Sequence, residues 1–106
     1  MIVKTKPEGA TNVVEYEIIG GKSIDFEDGE LSFNVKKREQ DDPVTIYICR
    51  DFLGGLVMGT AAGDKYVAEL FIPARQYVEE GEGDEKQLVP VPFDIDRCTL
   101  TLWEEE

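Results

Sequence analysis

The sequence predicts an all-β domain: an antiparallel β-sandwich, Ig-like or jelly-roll-like with about seven to nine short strands, or a small barrel. Two observations carry this expectation. Apolar and polar residues alternate with a period of two along most of the chain, and no stretch sustains a helical period. Turn chemistry cuts that alternation at short intervals, at Gly9, Gly20-Gly21, Asp41-Asp42-Pro43, Gly54-Gly55, Gly63-Asp64, Gly81 to Asp84 and Asp94 to Asp96. No linker, composition shift or internal repeat divides residues 1–106, so a single domain is expected.

The elements follow in chain order. Val13 to Ile19 places Val14, Tyr16 and Ile18 on one face and Glu15 and Glu17 on the other. Lys22 to Lys36 is the clearest unit, because Asp28-Gly29 is a type I′ turn signal with alternating flanks. Folding about that turn opposes Phe26 to Leu31, Asp25 to Ser32 and Ile24 to Phe33. One face is then Ile24, Phe26, Leu31, Phe33 and Val35, and the other is polar.

Val44 to Cys49 is rich in β-branched residues, with Val44, Ile46 and Ile48 opposing Thr45 and Tyr47. Lys65 to Ile72 sets Tyr66, Ala68, Leu70 and Ile72 against Val67, Glu69 and Phe71. Pro90 and Pro92 remove ladder donors from Gln87 to Phe93, which reads as an edge strand or extended segment. Cys98 to Trp103 turns Leu100 and Leu102 inward and Thr99, Thr101 and Trp103 outward. Arg50 to Leu53 and Ala74 to Val78 are the places compatible with a short helix or turn.

Composition excludes more than it names. The chain has 106 residues, 23 acidic and 11 basic, with no histidine and a net charge of −12. Such a balance argues against binding nucleic acid or an anionic membrane. Without histidine there is no ordinary general base near neutral pH, no Ser/His or Cys/His pair and no histidine-held zinc or haem. No signal-peptide core and no stretch near membrane-span length is present, so a cytoplasmic protein is expected. Cys49 and Cys98 then read as reduced, buried thiols.

Five sets of residues bear on chemistry. Gly54, Gly55, Gly59 and Gly63 lack the Gly-Lys-Ser/Thr order of a phosphate loop, and Asp64 would repel phosphate; they read as turn glycines. Glu79, Glu80, Glu82, Asp84 and Glu85 crowd one loop and are the weak candidates for a divalent cation, though no EF-hand spacing is present. Lys36-Lys37-Arg38 reads as a solvated strand end. Glu69, flanked by Ala68 and Leu70, is the carboxylate whose burial bears on acid/base chemistry. No catalytic or cofactor-binding residue is expected. Tyr47 and Trp103, on the polar faces of their strands, are the candidate interaction surface, unless the segment from Arg50 to Thr60 folds over them with Phe52 and Leu56.

The leading expectation is a non-enzymatic intracellular β-domain that binds a protein partner or self-assembles as an accessory, interaction or structural module. The alternatives are an acidic inhibitor or nucleic-acid mimic, and a carbohydrate-binding module drawing on calcium in the 79–85 loop.

Overall fold

Three sheets and three single-turn 3₁₀ segments make up the fold in a computed structural model, which describes residues 1–59 and 65–105. The strands are β1 (Ile2–Lys6), β2 (Tyr16–Ile19), β3 (Ser23–Phe26), β4 (Leu31–Asn34), β5 (Val44–Arg50), β6 (Leu56–Met58), β7 (Lys65–Ile72), β8 (Tyr77–Glu80), β9 (Gln87–Pro90) and β10 (Thr99–Trp103). A five-stranded sheet runs in the order β1-β10-β7-β5-β6, a three-stranded sheet in the order β2-β3-β4, and β8 pairs with β9. The larger sheet is open, with β1 and β6 at its edges, and the described strands close no barrel. Among the described residues no helix is long and apolar enough to cross a membrane.

The hairpin adopts the register that its two faces demand. Ser23 opposes Asn34, Ile24 opposes Phe33, Asp25 opposes Ser32 and Phe26 opposes Leu31. Asp28 and Gly29 both take positive φ, 57° and 96°, as the central pair of a type I′ turn must. Ile24, Phe26 and Val35 are fully buried and meet Ile46, Ile48, Leu70, Ile72, Leu100 and Leu102 of the larger sheet in one core. Burying branched aliphatic side chains from two sheets against each other is the dominant favourable contribution for a chain of this size.

Three expectations need correction. Ten strands are present among the described residues, because the chain start, Leu56–Met58 and Tyr77–Glu80 also form ladders. The sheets are not wholly antiparallel, since β1 lies parallel to β10, Ile2 beside Thr99 through Lys6 beside Trp103. Ala74 to Val78 forms no helix; it runs extended into β8, whose partner β9 supplies its backbone bonds. The turn expected around Arg50 to Leu53 is present: Arg50 ends β5 and the chain turns directly after it. The expected hairpin turn at Ala61 to Asp64, Gly63 among its glycines, and the terminal Glu106 lie outside the described residues.

The third sheet shapes the molecule. Every residue of β8 is exposed, and of β9 only Val89 is partly buried. The radius of gyration is 16.5 Å and the extents are 59 × 28 × 22 Å. A compact chain of this length would have a radius of roughly 13 Å. The β8–β9 ribbon is thus an arm, and its root is fastened by ion pairs. Glu39 bridges Arg75 and Arg97 at 3.5 Å each, with only 8% of its side chain exposed. Asp41 pairs with Arg75 at 3.3 Å and accepts the hydroxyl hydrogen bond of Tyr77.

Candidate functional site

Period-two geometry sorts the larger sheet into a core face and an outer face. On the outer face the ladder aligns Lys4, Thr101, Glu69 and Tyr47 in one row and Ile2, Thr99, Phe71 and Thr45 in the next. Tyr47 and Trp103 both lie here, as their strand positions require. They do not touch each other directly; Tyr66 stands between them. Its ring centroid is 5.5 Å from that of Tyr47 and 6.0 Å from that of Trp103, both pairs tilted. Lys6 Nζ sits 5.2 Å from the Trp103 ring centre and extends the cluster with a cation.

Tyr66 reaches this face through a bulge. Ile48 pairs with Ala68 but Cys49 pairs with Tyr66, so Val67 is an extra residue in the β5–β7 ladder. Without it, Tyr66 would share the core face of Ala68, Leu70 and Ile72, as simple alternation predicts. With it, Val67 and Ala68 are both buried and Tyr66 is 49% exposed. The segment expected to cover the aromatics does something else. Leu56 joins the core, while Phe52 and Leu53 stand 86% and 82% exposed. Asp51 holds their turn, its Oδ1 accepting the backbone N–H groups of Leu53 and Gly55 at 2.9 Å.

A cleft of about 400 Å³ opens at the end of the aromatic face, lined by Tyr66, Val67, Trp103, Arg50 and Glu105 among others. Arg50, in its lining, clamps three parts of the chain. Its guanidinium donates to Glu27 in the hairpin turn, to Glu105 in the tail, and to the Gly54 carbonyl at 2.8 Å. The Arg50 hydrogen bonds hold the Glu27 carboxyl below the usual carboxylate range, and the two carboxylates raise the guanidinium further. Neither this clamp nor the Glu39 bridge was visible in the sequence, since a lone arginine announces no partner.

The remaining candidates are dispersed. Glu79, Glu80, Glu82, Asp84 and Glu85 are all exposed around the arm tip, and the described residues contain no group of three or more side chains able to hold a metal ion. Glu69 is half-buried, between Tyr47 and Thr101 in the ladder. Lys36, Lys37 and Arg38 form an exposed 3₁₀ turn, with Arg38 over the Phe33 ring at 5.8 Å. Gly54 and Gly59 take positive φ in turns. Cys49 and Cys98 are free and buried. Burial raises the Cys49 thiol, and burial with the nearby Glu39 charge pushes Cys98 up to about 11.

No protein-family model matches the chain, and neither the curated proteins nor the solved structures contain a significant match to it.

Proposed function

We propose that the protein is a non-enzymatic interaction module that binds another protein through the outer face of its five-stranded sheet, the two sheets acting as an open sandwich that holds this face rigid. The observation that carries this reading is the aromatic patch of Tyr47, Tyr66 and Trp103, with Tyr47 and Tyr66 substantially exposed and assembled by a bulge. Tyr and Trp give large, stiff contact areas with a polar edge, the composition that dominates binding energy at protein interfaces. Phe52 and Leu53, held out in the Asp51 turn, add further exposed apolar area. Two buried, unpaired thiols fit a reducing, cytoplasmic setting.

The test is affinity capture from the native host with the wild-type chain and with the Tyr47→Ser/Tyr66→Ser variant. The expected result is a partner retained by the wild type and lost by the variant, whose circular dichroism stays that of the wild type. Equal capture by both proteins overturns the reading.

A second reading is supported by the other sheet. Glu15, Glu17, Asp25, Glu27 and Asp28 line one concavity of about 120 Å³, concentrating negative charge where a basic groove could dock. An acidic inhibitor or mimic would bind with steep salt dependence, and Glu17→Lys/Asp25→Lys would abolish that binding while leaving capture through the aromatic face intact.

A further inference from the structure

The arm and the first strand present complementary open edges. In β1, the Ile2 N–H donates to the Cys98 carbonyl and the Lys6 carbonyl accepts from Glu104, so the even-numbered residues face β10. In a parallel ladder the alternate residues then point their N–H and C=O groups away, which leaves those of Val3 and Thr5 at the sheet edge. In the arm, the Gln76 carbonyl accepts from the Val91 N–H at 2.8 Å, so Gln76, Val78 and Glu80 face β9. Tyr77 and Glu79 therefore direct their backbone groups outward. The other side of the ribbon is blunted, because Pro90 has no N–H to offer.

Charge decides which edges can meet. β1 carries Lys4 and Lys6, and β8 carries Glu79 and Glu80, all four exposed. Like charges discourage β1 from pairing with β1 and β8 with β8, the usual protection of open edges. The unlike combination is favoured, and an antiparallel register opposing Glu79 to Thr5 sets Glu80 against Lys4.

We propose that the β8 edge of one molecule adds to the β1 edge of a second copy of this chain, extending its five-stranded sheet by the arm. The contact is heterologous: each molecule offers an arm and receives one, so the contacts propagate into a ring or a filament. The inference goes beyond the aromatic-face reading, since it uses the open strand edges and not the Tyr47, Tyr66 and Trp103 patch. Local pairing acts within a Debye length of roughly 8 Å at physiological salt, beyond which the repulsion between the other charges of two acidic molecules is largely screened.

Light scattering coupled to size exclusion, over a range of protein concentrations, tests it. The wild type is expected to assemble with rising concentration. Glu79→Lys/Glu80→Lys and Lys4→Glu/Lys6→Glu should each raise the concentration needed by about tenfold, since the opposed Lys4–Glu80 pair becomes a like-charge pair in either variant. Combining all four substitutions in one chain should restore assembly. As a second measurement, a Lys4→Cys chain mixed with a Glu80→Cys chain should give the mixed disulfide in preference to either homodimer, since facing residues at non-hydrogen-bonded positions have Cα atoms about 4.5 Å apart. A wild type that stays monomeric, reversals that assemble like the wild type, or cysteines that cross-link at random each overturn the proposal. A monomeric wild type that still captures a partner through Tyr47 and Tyr66 would sink the arm contact and leave the interaction reading standing.

Discussion

Tyr66 packs against Tyr47 at a centroid separation of 5.5 Å because Val67 is an extra residue in the ladder between their strands. One inserted residue turns a tyrosine from the core to the surface and joins two otherwise separate aromatic side chains. The stabilisation of such a tilted pair beyond its buried area is modest, about 1 kcal/mol. Trp103 is the single tryptophan and reports on the cluster directly. Tyr66→Ala should leave the fold intact, lower stability by roughly 1 to 2 kcal/mol and shift Trp103 emission to the red as water reaches its ring. An unchanged emission spectrum would show that Tyr66 does not cover Trp103 in solution.

The Arg50 clamp predicts a pH dependence with a definite sign. Glu27 is held below the ordinary carboxylate range by Arg50 in the folded state. Its contribution is therefore complete above the unfolded-state value and is lost as pH falls through the lower folded value. Arg50→Met should cost about 2 kcal/mol near neutral pH, since Glu27 and Glu105 both lose a charged donor. The difference between variant and wild type should shrink under acid. Urea unfolding at neutral pH and near pH 3 measures both, and a constant gap would rule out Glu27 as the titrating partner.

At the root of the arm, Glu39 bonds two guanidinium groups with little exposure of its own. Glu39→Gln keeps the shape and removes the charge, leaving Arg75 and Arg97 without their shared counter-ion. The destabilisation expected is modest, because both arginines stay partly exposed and Arg75 keeps Asp41. The loss should concentrate where the arm joins the body, at the Arg75 N–H bonded to Gln40 and the Val91 N–H bonded to Gln76. Hydrogen exchange should accelerate at those two amides more than in β3 or β7; uniform acceleration would mean that Glu39 supports the core and not the arm.

The two thiols give a fourth expectation. Cys98 is pushed up to about 11 and Cys49 is raised as well, both by burial. In the native protein, thiol reagents should therefore react at the rate of unfolding, with both residues labelled together after addition of denaturant. Because the folded state holds these protons more tightly, stability should decline as pH rises from the ordinary thiol range toward 11. Rapid native labelling of either cysteine would contradict its burial.

Much of this architecture is legible in the residues, and the illegible parts share a cause. The hairpin from Lys22 to Lys36 is readable down to its register, because only one alignment satisfies a buried face and a polar face around Asp28-Gly29. Tyr47 and Trp103 are placed correctly by alternation alone. Tyr66 is misplaced by the same rule, since a bulge without glycine leaves no mark in the sequence. β1 offers no alternation to read: Ile2 and Val3 are adjacent and both exposed, and their ladder comes from the far end of the chain. The arm is hidden for a related reason. Tyr77-Val78-Glu79-Glu80 has neither a buried face nor a period, and only its pairing with a proline-bearing strand makes it extended.

The parallel pairing of β1 with β10 also governs the order of assembly. β1 has no place in the sheet until β10 exists to receive it. Antiparallel neighbours can form as hairpins during synthesis, whereas this ladder closes the longest loop in the molecule and must come after the core. β1 and β10 thus stand or fall together: removing β10 releases β1 as well, exposing the outer side of β7 to unwanted partners.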